Sequence, residues 1–148
     1  MLEHGCETLA QETIYEKVAV WLREIFGEFA EPIDDAPGFR IEMGSALVVV
    51  WVMPWTDNDA IVSARSYVVR ETPITEDLMR FLLTKNANLN FGCFGLTEEN
   101  DIVLEHNLVG STCDKEEVRT AVRLMVSMAD RYDDEITRTW GGKRAADD

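Results

Sequence analysis

The chain has 148 residues, enough for one domain that buries its own core, and 46% of them are hydrophobic, as in globular proteins rather than disordered ones. It carries 28 acidic residues against 14 basic ones, which gives a formal net charge of −14. Because such a surface repels phosphate backbones and anionic lipid headgroups, we expect neither a nucleic-acid partner nor a membrane partner.

The first predicted element is a helix that begins near Thr8 or Thr13, since each is followed three residues later by Gln or Glu, the capping-box spacing. Steps of three and four residues place its apolar side chains on one stripe: Ile14, Val18, Trp21, Leu22, Ile25 and Phe29. The segment 31–38 then ends the helix, because it contains two prolines and a glycine.

Strands dominate the middle of the chain, and a second helix interrupts them. Short polar turns join the first three strands, which predicts an antiparallel meander. The second helix runs from Thr75, its predicted N-cap, to about Leu89. Five strands are predicted in all, at residues 39–43, 46–53, 60–70, 90–96 and 101–109.

The third helix has the clearest pattern. Asp114 is its predicted N-cap, with Glu117 three residues later, and two glycines from Gly141 end it. Its apolar stripe extends over about six turns: Val118, Ala121, Val122, Met125, Ala129, Tyr132, Ile136 and Trp140. The resulting order α-β-β-β-α-β-β-α predicts an α+β fold, an antiparallel sheet of about five strands with three helices. The first few residues and the tail 143–148 are expected to be frayed.

Cysteine usage and the absence of targeting signals favour a cytoplasmic protein. The three cysteines are odd in number and form no CxxC pair, so we expect neither a disulfide framework nor a structural zinc site. The first residues lack the apolar core of a signal peptide, and the longest apolar run, 46–53, is too short to span a bilayer. Since no composition shift marks a boundary, a single domain is expected over residues 1–148.

The strand at 46–53 is apolar on both faces. One side presents Leu47, Val49, Trp51 and Met53, and the other presents Ala46 and three valines, whereas an antiparallel sheet usually leaves one face wet. Two interpretations stay open: the domain buries both faces itself, or one face contacts a second copy or a peptide. The residues predicted for that partner-binding or dimer face are Val48, Val50, Trp51, Val52, Trp55 and Tyr67.

No catalytic constellation stands out. His106 shares its strand face with apolar residues, and a pair with Cys93 in the neighbouring strand is geometrically conceivable but unsupported. Asp130 and Asp134 share a helix face, where carboxylates far more often form a solvated surface than a cation site. We therefore predict no enzyme activity, no catalytic residue, no cofactor and no metal.

Two segments resemble the YbjN family. They are LLTKNANLNFGCFGL at 82–96, where a leucine-rich helix ends in asparagines before a glycine-aromatic strand, and ADRYDDEI at 129–136 with Trp140-Gly141-Gly142 behind it. The element order around a valine-rich strand also resembles the fold of type III secretion chaperones. The resemblance implies an α+β domain, often dimeric, related to chaperones that bind extended client segments, with no cofactor and no catalytic residues.

The sequence as a whole predicts a non-enzymatic, chaperone-like protein that binds a protein or peptide and acts as a homodimer. The alternative is a regulatory or small-molecule-sensing domain with a ligand cleft between helix and sheet, which an enclosed pocket with convergent polar groups would support. An enzyme is the third reading, and it requires His106 or a carboxylate pair to lie in such a pocket with a displaced pKa.

Overall fold

A computed structural model describes residues 2–147. The three α-helices begin at the predicted caps: the side chains of Thr8, Thr75 and Asp114 accept hydrogen bonds from the backbone N–H three residues later. These bonds satisfy donors that have no partner within the helix. The helices are α1 (Leu9–Phe26), α2 (Glu76–Asn88) and α3 (Lys115–Trp140).

Within the described residues the sheet has seven strands, and every pair of them is antiparallel. Six strands follow the order β1-β2-β3-β4-β6-β5, and β7 pairs with β4 beside that path. The strands are β1 (Ala30–Pro32), β2 (Gly38–Met43), β3 (Ala46–Trp55), β4 (Asp59–Arg70), β5 (Cys93–Leu96), β6 (Ile102–Val109) and β7 (Lys143–Arg144). The predicted α+β class and element order are confirmed. The sheet has two more strands than predicted, namely the short strands β1 and β7.

The core lies between the sheet and the helices, with α1 and α3 packed across β3 and β4 and α2 packed beside β5. Val18 and Leu22 of α1 and Met125 of α3 are almost fully buried there. Burial of one such side chain stabilises the fold by about 1.5–3 kcal/mol. This packing accounts for the long apolar stripe of α3, since the helix crosses most of the sheet.

The C-terminal segment corrects the prediction of a frayed tail. Lys143 and Arg144 form β7, and a 3₁₀ turn at residues 145–147 follows it. Arg144 Nη2 lies 2.9 Å from an oxygen of Asp147, and Lys143 Nζ lies 3.3 Å from Glu71 Oε2. Asp148, the last residue of the predicted tail, lies outside the described residues. Pairing of β7 with β4 holds the segment in place. The segment has no apolar pattern of its own from which this pairing could be predicted.

Candidate functional site

One face of the sheet is covered by the helices, and the other carries the candidate site. In β3 the even-numbered residues point to the helices, as the near-complete burial of Val50 illustrates, and the odd-numbered residues point away. Residues paired across neighbouring strands point to the same face. Arg65 on β4 pairs with Val49 on β3 and with Glu105 on β6, so all three point away from the helices. We call the second side, on which no α-helix packs, the uncovered face; Val49 within it is nevertheless buried, at 8% exposure. The face is formed by Leu47, Val49, Trp51, Met53, Trp55, Ile61, Arg65, Tyr67, Val103, Glu105 and Asn107.

The indole of Trp51 is positioned by a glycine on the neighbouring strand. Gly38 of β2 pairs with Trp51, and a Cβ added at Gly38 would lie 2.5 Å from Cε3 of the indole. No side chain fits in that space, so the ring lies against the bare backbone of β2. Trp51 is half-buried as a result, with one side supported by its own sheet and the other available for contact.

The apolar part of the face is partly exposed at one end. Met53 and Trp55 near the end of β3 are 36% and 45% exposed. Large apolar side chains in this state are typical anchors in protein interfaces, because covering them removes apolar area from water while their positions are already fixed. The arrangement can therefore bind an apolar segment of another chain with little rearrangement of the sheet.

A polar group interrupts the apolar face at its centre. Nε of Arg65 donates to Oε2 of Glu105 at 2.9 Å, and the amide of Asn107 donates to Oε1 of the same carboxylate at 3.1 Å. Both charged side chains are partly buried, so their alignment is fixed more firmly than that of a surface pair. Such fixed polar groups give a binding face directionality that apolar contacts alone do not.

A shallow cavity of about 500 Å³ opens beside this ion pair, between Tyr67 on β4 and the β5–β6 hairpin. Gly95 forms part of the cavity wall and has no side chain to fill the space. A Cβ added at Gly95 would lie 3.3 Å from a methyl group of Val103. Its lining combines the Tyr67 ring, apolar side chains and the carboxylates of Glu98, Glu99 and Glu105. The cavity has the size for one or two side chains of a bound polypeptide.

The predicted site residues divide between the two faces. Trp51, Trp55 and Tyr67 lie on the uncovered face. Val48, Val50 and Val52 lie in the core beneath the helices, at 0%, 1% and 1% exposure.

Several residues of the face were not predicted: Met53, Ile61, Arg65, Glu105 and Asn107. The sequence does contain the signal that finds Met53. In β2 the charged Arg40 and Glu42 mark the wet face, and the tight turn at Gly44-Ser45 pairs them with Val49 and Leu47. The odd-numbered residues of β3 therefore share that face.

The residues considered for catalysis do not assemble. His106 lies on the helix side, with its ring 5.9 Å from that of Phe91, whereas Cys93 pairs with Glu105 and points to the opposite face. Asp130 accepts a hydrogen bond from Ser45, and Asp134 lies 3.4 Å from Nη1 of Arg144.

Within residues 2–147 no cluster of three His, Cys, Asp or Glu side chains has the arrangement of a metal site. None of the helices in that range has the length and apolarity to cross a membrane.

Comparison with known proteins gives a family and a fold. The sequence model of TY-Chap1, described as "T3SS (YopN, CesT) and YbjN peptide-binding chaperone 1", matches residues 12–148. No curated protein matches the sequence. Among solved structures, a chain of the "Crystal Structure of the ExsC-ExsE Complex" is similar with a TM-score of 0.66 and 13% identity, over 88% of this chain and 97% of that one. At this identity the likeness shows a shared fold.

Proposed function

The chain belongs to the TY-Chap1 family of T3SS and YbjN peptide-binding chaperones, and from that premise we propose that it binds an extended segment of a client polypeptide on its uncovered face. It does so without catalysing a reaction, as a homodimer in the cytoplasm. The observation that carries the proposal is the row of apolar side chains on β3 that no α-helix covers, ending in the exposed Met53 and Trp55.

The alternative of a small-molecule sensor receives less support. Its ligand cleft would lie between helices and sheet, but that space is filled by core side chains such as Val18, Val50 and Met125, each at most 1% exposed. The cavity beside Tyr67 instead lies on the uncovered face and opens to solvent. A surface of this shape suits a chain that lies along it better than a ligand that must be enclosed.

The homodimer has a second apolar surface available on α2. Met79, Leu83 and Ala87 follow one another at steps of four and form a stripe along the outside of the helix, where Leu83 is 64% exposed. A stripe of this kind can pack against its own copy about a twofold axis, which is the usual symmetry of soluble dimers. In this arrangement the α2 stripe holds the second copy, and the uncovered face stays free for the client.

Peptide selection tests the binding face. A phage-displayed library of random peptides is selected on the protein, and a selected peptide is titrated against variants by calorimetry. Met53→Asp places a charge on the uncovered face and weakens binding about tenfold or more, since it removes an apolar contact and adds a desolvation cost. Val20→Asp is the matched control, because Val20 is 49% exposed on α1. Equal affinity for both variants contradicts the proposed face.

Light scattering tests the dimer. The wild-type chain is expected at twice the mass of one chain, and Leu83→Glu at the mass of one chain, since two added carboxylates face each other in the symmetric contact. Trp55→Asp is expected to remain dimeric. If Trp55→Asp dissociates the dimer and Leu83→Glu does not, the second copy occupies the sheet face instead.

A further inference from the structure

The turn between β2 and β3 is attached to α3 by one serine and two carboxyl groups. Gly44 and Ser45 form this two-residue turn. The hydroxyl of Ser45 donates a hydrogen bond to Asp130, and its Oγ lies 3.3 Å from Oδ2 of Asp133. The contact joins the tip of a hairpin to a helix that is distant in the chain. We call Ser45, Asp130 and Asp133 the turn cluster.

The turn cluster lacks a hydrogen atom for one of its two contacts when both carboxyl groups are ionised. A serine hydroxyl carries a single hydrogen, and an ionised carboxylate can only accept. Since Ser45 gives its hydrogen to Asp130, the closer partner, none remains for the contact with Asp133. A proton on Oδ2 of Asp133 completes this contact, because the resulting O–H can donate to a lone pair of Ser45 Oγ.

Asp133 is the carboxyl group that suits the additional proton. It is 2% exposed, whereas Asp130 is exposed to water. The second oxygen of Asp133, Oδ1, has no hydrogen-bond partner among the described residues. A buried oxygen without a partner costs more free energy when it carries charge, so burial favours the neutral acid at this position.

Neighbouring charges set the pH at which Asp133 takes up the proton. Burial, followed by the charge of Asp134, raises the pKa of Asp133 above 3.8, and the positive charge of Arg144 acts in the opposite direction. The proton is therefore held at low pH and is lost as pH rises through the raised pKa. Charge reaches Asp133 and its partners from three elements: Asp130 and Asp134 on α3, Arg144 on β7, and Asp147 in the 3₁₀ turn, which binds Arg144.

We propose that the turn cluster is a pH-sensitive fastening, in which a proton shared between Asp133 and Ser45 holds the β2–β3 turn against α3 and loss of this proton loosens the turn. With the proton bound, Asp133 donates to Ser45 and Ser45 donates to Asp130, so both contacts are hydrogen bonds. Without it, two carboxylates face one hydroxyl that can bond only one of them. Leu47, which follows the turn, belongs to the uncovered face, so this end of the face becomes more mobile at higher pH. The fastening does not require the proposed client.

Amide hydrogen exchange measured by NMR over a pH series tests the fastening. Met43 and Ala46 pair across the turn, and Trp55 and Asp59, which pair at the opposite end of β3, serve as the control. Protection of the first pair relative to the second is expected to fall about twofold to tenfold as Asp133 loses its proton, the effect of one hydrogen bond. The chemical shift of the Asp133 carboxyl carbon follows that loss. Constant relative protection over the whole titration of Asp133 overturns the proposal.

Substitutions of the neighbouring charges move the pH of this change in opposite directions. Arg144→Gln removes a positive charge near Asp133 and is expected to move the change to higher pH, whereas Asp134→Asn removes a negative charge and moves it to lower pH. In Asp133→Asn the side-chain amide donates to Ser45 at every pH, so protection is expected to stay high. Asp57→Asn, in the exposed turn between β3 and β4, is the matched control and leaves the change in place.

The pH of the change separates a shared proton from a merely structural contact. A structural contact lowers protection in the variants without moving the pH at which protection changes. Because Arg144→Gln also weakens the attachment of β7, Asp134→Asn at its exposed position decides between the two outcomes. An unmoved pH in Asp134→Asn, or the wild-type pH dependence in Asp133→Asn, overturns the proposal.

Discussion

The loss of unfolding free energy on replacing a valine by threonine shows whether that valine is buried beneath the helices or exposed to water. Val50 on β3 is 1% exposed and Val109 on β6 is 43% exposed. The substitution keeps the shape of the side chain and adds a hydroxyl group. At position 50 the hydroxyl is buried among apolar side chains, which costs about 1–3 kcal/mol of unfolding free energy. At position 109 water reaches the hydroxyl, and a change within about 0.5 kcal/mol is expected.

Urea unfolding followed by circular dichroism gives both values. With a slope of about 2 kcal/mol per molar urea, Val50→Thr is expected to lower the midpoint by about 0.5–1.5 M and Val109→Thr to leave it nearly unchanged. Because Val50 does not reach the uncovered face, folded Val50→Thr protein should bind the selected peptide with wild-type affinity. Equal midpoints, or a loss of peptide affinity in Val50→Thr alone, would refute the assignment of the two faces.

Three further changes have defined outcomes. Burial, followed by the nearby charge of Asp134, raises the pKa of Asp133 above its ordinary value of 3.8. The native state therefore holds a proton that the unfolded chain releases, and the unfolding free energy falls as pH rises through the interval between the two pKa values. Asp133→Asn should remove this fall and raise stability at neutral pH, as urea midpoints at about pH 4 and pH 7 would show. Cys93 is exposed, and the other two cysteines are buried. A thiol reagent should therefore label one cysteine per native chain promptly and all three after unfolding. Prompt labelling of more than one cysteine in the native chain would contradict the fold. Gly38→Ala should displace the Trp51 indole, with a red-shifted tryptophan emission in a chain that still folds; an unchanged spectrum argues against that contact.

The main elements were predictable because their signals are local. The capping residues and apolar stripes fix the three helices, and glycines and polar turns separate the longer strands. The short strands were not predictable, since β1 contains a proline and β7 consists of two basic residues. Both exist because longer strands offer them free edges, and a pairing of that kind leaves no pattern in the short segment itself.

The composition of the uncovered face was only partly predictable, for a related reason. Every residue of β3 from Ala46 to Met53 is apolar, so alternation within the strand cannot tell which side meets the helices. The assignment comes from β2, where Phe39 and Ile41 are buried and the alternating charged residues Arg40 and Glu42 are exposed. Without that register, the sequence alone groups valines of the core with the tryptophans of the uncovered face.

Photo-cross-linking tests the central claim, that the uncovered face binds a polypeptide, most directly. A photoreactive phenylalanine replaces Trp55 in one variant and Val20 in another, and each is irradiated with the peptide selected from the random library. Both positions are exposed, at 45% and 49%, but only position 55 lies on the uncovered face. A peptide adduct at position 55 and none at position 20 is the result that the structure predicts. An adduct at position 20 alone, or equal adducts at both positions, would contradict the claim.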